Sequence, residues 1–215
     1  MIGVFGGTFD PVHLGHLRPA VEMAEEVGLD RVHVLPAGHP PHRGAPRVAT
    51  EHRLAMLEAA IAGQPDFQLD RREVDREGPS YMAETLAGLR AEIGPDEPLA
   101  LMLGMDAFLG LASWHEWERL PELAHLVVSH RPGWDPDSME DQGGPLAALV
   151  AQRGVIEPGE LAREPAGRVH LMPVTQLDIS STRIRALLAA GRSPRYLLPD
   201  AVCDYIQHHR LYRKD

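Results

Sequence analysis

The chain predicts an α/β fold in which a parallel sheet is covered by helices on both faces. Three observations carry this. Short apolar segments alternate with longer stretches of helical periodicity. Two of those segments, Leu99 to Leu103 and His125 to Ser129, have the character of strands buried on both faces. The helical stretches stop at glycine, as at Gly28, Gly94-Pro95 and Gly191.

In order, Ile2 to Phe5 is a first strand running into Gly6-Gly7-Thr8. Leu14, Leu17, Val21, Ala24 and Val27 follow helical spacing. Pro19 interrupts them, so the regular helix is expected from Leu17, with His13 and His16 in the turn before it. Val32 to Leu35 is the second strand, and Pro36 to Arg43 the loop beyond it. Thr50 is placed to cap a helix with Leu54, Leu57 and Ile61 on one face. Phe67 to Leu69 is a weak strand. Gly78-Pro79-Ser80 starts a helix with Met82, Leu86, Leu89 and Ile93 inward. Gly133 to Gly167, rich in Gly, Pro and acidic residues, reads as a mobile surface insertion holding a short helix near Leu146 to Val150. Val169 to Val174 is the last strand. Ser180-Ser181-Thr182 caps a helix carrying Ile184, Leu187 and Leu188, and Pro199 opens a final helix with Val202, Tyr205 and Ile206. The expectation is one domain over residues 1–215, with a helical C-terminal part from 180.

Composition narrows the function. The net charge of -10 argues against nonspecific nucleic-acid binding, which rests on clustered Lys and Arg. Lys214 is the only lysine, so phosphate work falls to arginine, a planar and permanently charged fork. Cys203 stands alone, which excludes an intramolecular disulfide and a cysteine-rich zinc site; its apolar setting reads as packing. No signal peptide and no membrane-length apolar run is evident, so the expected compartment is the cytoplasm.

The chemistry gathers at the N-terminus. A strand, a glycine turn and a helix start form an anion site, since backbone N–H groups and the helix dipole point at one spot. Gly6 and Gly7 let the backbone approach a phosphate, and Thr8 adds a hydroxyl. His13 and His16 can donate hydrogen bonds to phosphate oxygens that gain charge during transfer. Zinc is the competing use of the histidines, but only Asp10 is nearby as a third ligand. The P-loop needs a lysine this chain lacks, and G-x-G-x-x-G is absent from the first turn.

Gly6-Gly-Thr-Phe-Asp-Pro-Val-His-Leu-Gly-His16 and Ile179-Ser-Ser-Thr-Arg-Ile-Arg185 resemble the two end motifs of the nucleotidyltransferase superfamily. Pro40 to Arg43, Arg76 to Tyr81, Leu103 to Asp106, Ser113 to His115, Arg131 to Gly133 and Tyr196 to Pro199 narrow the resemblance to the bacterial nicotinate-nucleotide adenylyltransferase family. It covers nearly everything outside Gly133 to Gly167.

The resemblance implies a Rossmann-like, doubly wound sheet and adenylyl transfer from ATP to nicotinate mononucleotide. Magnesium would be carried mainly by the ATP phosphates, with no protein metal ligand. His13 and His16 would hold ATP phosphates, with His16 nearest the transferred group. The ATP contacts would be Gly6, Gly7, Thr8, Gly104, Asp106, Ile179, Ser180, Ser181, Thr182 and Arg185. The mononucleotide would meet Phe9, Arg43, Tyr81, Thr85, Trp114, His115 and Arg131, with Trp114 under the pyridine ring. Arg183 is divided between phosphate contact and a solvated role. Arg43 departs from the lysine frequent in the family at this loop, and Met82 from a small polar residue. No membrane partner is implied, and homo-oligomerisation stays open. The alternatives are an enzyme preferring the nicotinamide mononucleotide, and a silent adenine-nucleotide sensor on the same fold.

Overall fold

The structure is a computed structural model and describes residues 1–39, 45–130, 143–175 and 177–213. Seven strands form one sheet: β1 (Ile2–Gly7), β2 (Arg31–Pro36), β3 (Phe67–Leu69), β4 (Leu99–Gly104), β5 (His125–His130), β6 (Gly154–Val155) and β7 (Val169–Pro173). Their order is β3-β2-β1-β4-β5-β7-β6, and β1–β4, β4–β5, β5–β7 and β6–β7 pair in parallel. The order reverses between β1 and β4, where open α/β sheets bind ligands beyond the carboxyl ends of their strands. The helices are α1 (Leu14–Val27), α2 (Thr50–Ile61), α3 (Met82–Ile93), α4 (Met105–Leu109), α5 (Leu120–Leu123), α6 (Gly144–Arg153), α7 (Ser181–Ala189) and α8 (Asp200–His208). The chain divides into two compact units, each built from separated stretches.

The first unit comprises Met1–Gly6, Pro19–His33 and Tyr81–Gln176. Its core is the doubly covered strand set: Leu99, Ala100, Leu101, Leu126, Val127 and Val128 are fully buried, as the unbroken apolar runs require. Arg90, late in α3, donates to the carbonyls of Gly94, Glu97, Leu123 and Pro165, so one cation satisfies four main-chain acceptors, two of them in the α3–β4 connection. His125 is buried; its Nδ1 accepts the Arg168 N–H and its Nε2 donates to the Glu164 carbonyl. Burial is the main force holding its pKa below the ordinary histidine value.

The second unit comprises Gly7–Arg18, Val34–Ser80 and Leu177–Asp215. Here α8 packs on α2, burying Val202, Cys203 and Ile206 on one side and Leu54 and Leu57 on the other. Burial pushes the Cys203 thiol up, which makes it a packing group and a poor nucleophile.

Four expectations are corrected. Helix α1 begins at Leu14, not Leu17, and contains Pro19. The proline forfeits one bond, to Gly15, while the His13 carbonyl still collects the amides of His16 and Leu17. Thr50 does not cap α2; the N-cap is Ala49, and the Thr50 hydroxyl accepts from Arg53 instead. Ser80 does not start α3: its hydroxyl accepts the amides of Gly38 and His39, pinning the loop after β2. The described part of the 133–167 segment is not a loose insertion. Helix α6 and strand β6 close the sheet edge on β7, and Leu161 is fully buried. Residues 133–142 of that segment lie outside the described residues.

Candidate active site

The histidine loop belongs wholly to the second unit. The chain leaves β1 at Gly7, whose carbonyl accepts the Ala37 amide. A Cβ at Gly7 would stand 2.9 Å from the Phe9 ring, so glycine is required by close approach. Phe9 itself is buried and takes φ 48°, a left-handed conformation uncommon for a bulky residue. Its ring meets His16 edge to face at 5.3 Å, which makes it the floor beneath that imidazole. The Phe9 side chain thus supports His16.

His13 and His16 stack, with centroids 3.6 Å apart and rings 17° from parallel. His13 is 4% exposed, its Nδ1 is buried without a hydrogen-bond partner, and burial lowers its pKa to about 4. At neutral pH it is an uncharged imidazole. Two cationic rings at this spacing would repel; a neutral His13 removes that penalty.

The C-terminal motif arrives at the same loop. A Cβ on Gly15 would stand 3.1 Å from the Ile179 carbonyl and 3.1 Å from His13 Nδ1, so the two motifs meet at a residue with no side chain. Ser181 donates to the Pro11 carbonyl at 3.0 Å. Arg185 donates to the Asp10 carbonyl at 2.7 Å and to the Thr182 hydroxyl at 3.2 Å. Ser180 is the N-cap of α7 and accepts the Arg183 amide, as predicted. Thr182 is exposed beside the free end of that helix, whose dipole favours an anion. Arg183 is exposed to solvent and donates to the Asp178 carbonyl.

Sequence reading missed the frame beneath this loop. Arg53 of α2 is 1% exposed and donates to the carbonyls of Thr8 and Ala37, tying the turn after β1 to the turn after β2. Asp10 accepts the Arg47 amide and the Tyr212 hydroxyl, each at 2.8 Å. Arg53 lay in an ordinary helical pattern and Tyr212 beyond the last helix, so nothing in spacing marked either. Gly15 was legible only as part of the Gly-His pair.

Of the remaining predicted residues, Gly6, Gly104, Asp106, Tyr81, Thr85, Trp114 and His115 lie in the first unit. Gly6 is the penultimate residue of β1 and Gly104 closes β4; a Cβ at Gly6 would press on Met82 at 2.9 Å. Gly104 is the N-cap of α4, and Asp106 is exposed in its first turn, so Asp106 is not the cap. Tyr81 stacks on His115 with centroids 4.2 Å apart. Trp114 is half-buried, directly after the 3-10 turn Leu111–Ser113. Thr85 is fully buried, as are Ala83, Leu86 and Leu89 of α3. Arg43 and Arg131 lie outside the described residues.

Stacked imidazoles beside a helix N-terminus, at the end of the first strand of a reversing parallel sheet, define a nucleotidyl-transfer class of protein. Residues 4–187 match the cytidylyltransferase-like family. The chain is 51% identical over 215 residues, all of both chains, to a protein of Methylococcus capsulatus named "Probable nicotinate-nucleotide adenylyltransferase". It is 49% identical to a Pseudomonas aeruginosa protein of the same name, across 99% of this chain and 97% of that one. It therefore belongs to the cytidylyltransferase-like family and, within it, to the nicotinate-nucleotide adenylyltransferases. Among solved structures, Plasmodium falciparum nicotinic acid mononucleotide adenylyltransferase complexed with NaAD shares the fold, with a TM-score of 0.72 at 17% identity over 98% of this chain and 96% of that one.

Proposed function

We propose that the chain transfers the adenylyl group of ATP to the phosphate of nicotinate mononucleotide, using the histidine loop and the tip of α7 as its phosphate-handling half. The observation that carries this is the meeting of both end motifs at Gly15, within one compact unit.

In this reading the mononucleotide phosphate oxygen attacks the α-phosphorus of ATP in line. A new P–O bond forms, the bond to the β-phosphate oxygen breaks, and pyrophosphate leaves with the electron pair. No covalent enzyme intermediate is needed, so the protein acts by positioning and charge stabilisation. His16, half-buried on Phe9, donates to the transferred phosphate. His13, neutral by burial, serves as a hydrogen-bond donor and not as a cation. The amides of Ser181 and Thr182, with Arg185, receive the β- and γ-phosphates. In the first unit, Asp106 and Gly104 receive the adenosine, and Trp114, with Tyr81 and His115, the pyridine nucleotide. Arg43 and Arg131 complete the assignment as anion contacts.

Among the described residues no grouping of three His, Cys, Asp or Glu side chains could hold a metal ion. A magnesium ion carried on the ATP phosphates would shield β,γ charge and favour pyrophosphate departure. Among the described helices none is long and apolar enough to cross a membrane.

The test is pyrophosphate release by the full chain with ATP, magnesium and either mononucleotide. The reading expects a clearly higher kcat/KM with nicotinate mononucleotide; preference for the amide, or no release by folded protein, contradicts it.

A further inference from the structure

Asp10 is 5% exposed and each of its three oxygens accepts a hydrogen bond. Oδ1 accepts the Tyr212 hydroxyl at 2.8 Å, Oδ2 accepts the Arg47 amide at 2.8 Å, and the main-chain carbonyl accepts Nη1 of Arg185 at 2.7 Å. The guanidinium stands 3.8 Å from Oδ2. A carboxylate this near an arginine ordinarily draws it into a two-bond fork. Here two neutral donors hold the carboxylate oxygens, and the guanidinium settles on the carbonyl and on Thr182. Its charge is thus incompletely matched, and 26% of its side chain faces solvent.

We propose that Tyr212 and Asp10 form a latch that positions Arg185 for a polyphosphate: by occupying Oδ1, the phenol keeps the carboxylate from capturing the guanidinium. Neither residue touches substrate, so both are positioning residues. The inference rests on the adenylyl-transfer reading, which gives Arg185 an anion to meet.

The latch gives the chain beyond α8 a chemical task. Leu211 donates its amide to the Ile206 carbonyl, turning the segment back after the helix, and Tyr212 takes φ 60° to reach Asp10. Burial, then Asp10 itself, pushes the phenol far above its ordinary pKa, so it stays a donor across any assay pH. Arg53, also near Tyr212, is committed to the Thr8 and Ala37 carbonyls and Thr50, so it does not compete for Oδ1.

The test is the affinity of the full chain for ATP with magnesium, by calorimetry, in Tyr212→Phe, Asp10→Asn and the double variant. Tyr212→Phe keeps the ring and frees one carboxylate oxygen; ATP affinity should fall roughly tenfold, with the KM for the mononucleotide unchanged. Asp10→Asn removes the competing charge and should bind ATP at least as tightly as the parent. Adding Tyr212→Phe to Asp10→Asn should then cost less than about threefold, a coupling that packing alone would not produce. Equal costs in both backgrounds, unchanged affinity in Tyr212→Phe, or a parallel loss for both substrates would overturn the latch. If Tyr212→Phe does not fold, Asp10→Asn decides alone, because a tenfold loss there contradicts the proposal and retained or tighter binding supports it. A parent chain that binds ATP but releases no pyrophosphate refutes the adenylyl-transfer reading and leaves the latch to the affinities. A parent that does not bind ATP overturns both.

Discussion

The two compact units of this protein are built differently. In the second unit the carbonyls of Thr8, Asp10 and Pro11 are each held by a side chain from a distant stretch of chain: Arg53, Arg185 and Ser181. Fixing those peptide planes fixes the direction of the next amides, and His13 is buried beneath them. In the first unit Gly104, Asp106 and His115 are exposed, and Trp114 is only half-buried. Phosphoryl transfer needs donors set before the charge develops, because reorganising dipoles during the reaction raises the barrier. Binding a flat ring needs an accessible surface and tolerates looser support. Under the proposed assignment, the more firmly held loop is the one that meets the developing charge.

The largest expected effect lies in the preorganised half. His16→Ala should lower kcat by about two to three orders of magnitude, the scale for losing one transition-state donor. Its melting temperature should stay within a few degrees, because His16 is only partly buried. Comparable losses of rate and stability would make His16 a packing residue and weaken the contrast.

A smaller effect concerns pH. Burial depresses His13 to about 4 and also lowers His125. The unfolded chain then binds more protons than the native one below its own histidine pKa. Stability is therefore fully present above about pH 6.5 and is lost as pH falls through the folded values. For His13 alone the loss by pH 5 is about 2 kcal/mol. Denaturant midpoints between pH 7.5 and 5 should fall accordingly, and His13→Gln should show a flatter decline. Identical slopes would mean that His13 titrates normally and is not held neutral.

The smallest effect belongs to the open half. Trp114→Ala should raise the KM for the mononucleotide about tenfold, with kcat and melting temperature little changed. A large stability loss would show that Trp114 is core, and that this half is as rigidly built as the other.

How far the sequence disclosed all this depends on the kind of signal. Apolar runs marked β4 and β5 because a strand covered on both faces has no room for alternation. Serine before helical periodicity marked the start of α7, since the capping hydroxyl leaves a residue-type trace. Pro19 misled, because one lost helical bond is tolerable where packing and the His13 carbonyl hold the first turn. Thr50 and Ser80 misled because a hydroxyl that looks like a cap serves equally well as an acceptor for a distant group. The composition of the 133–167 segment concealed a strand two residues long, too short for any period. The histidines, the glycine turn and the helix tip were legible as types. Arg53, Asp10 and Tyr212 were not legible as a frame, because what joins them is contact between stretches far apart in the chain.

Amide hydrogen exchange with and without ATP and magnesium tests most directly whether the two ends of the chain share one phosphate. The account predicts that nucleotide slows exchange in residues 7–18 and 179–186 together, with the same concentration dependence. Protection confined to one of those stretches, or saturating at different ATP concentrations in the two, would contradict it.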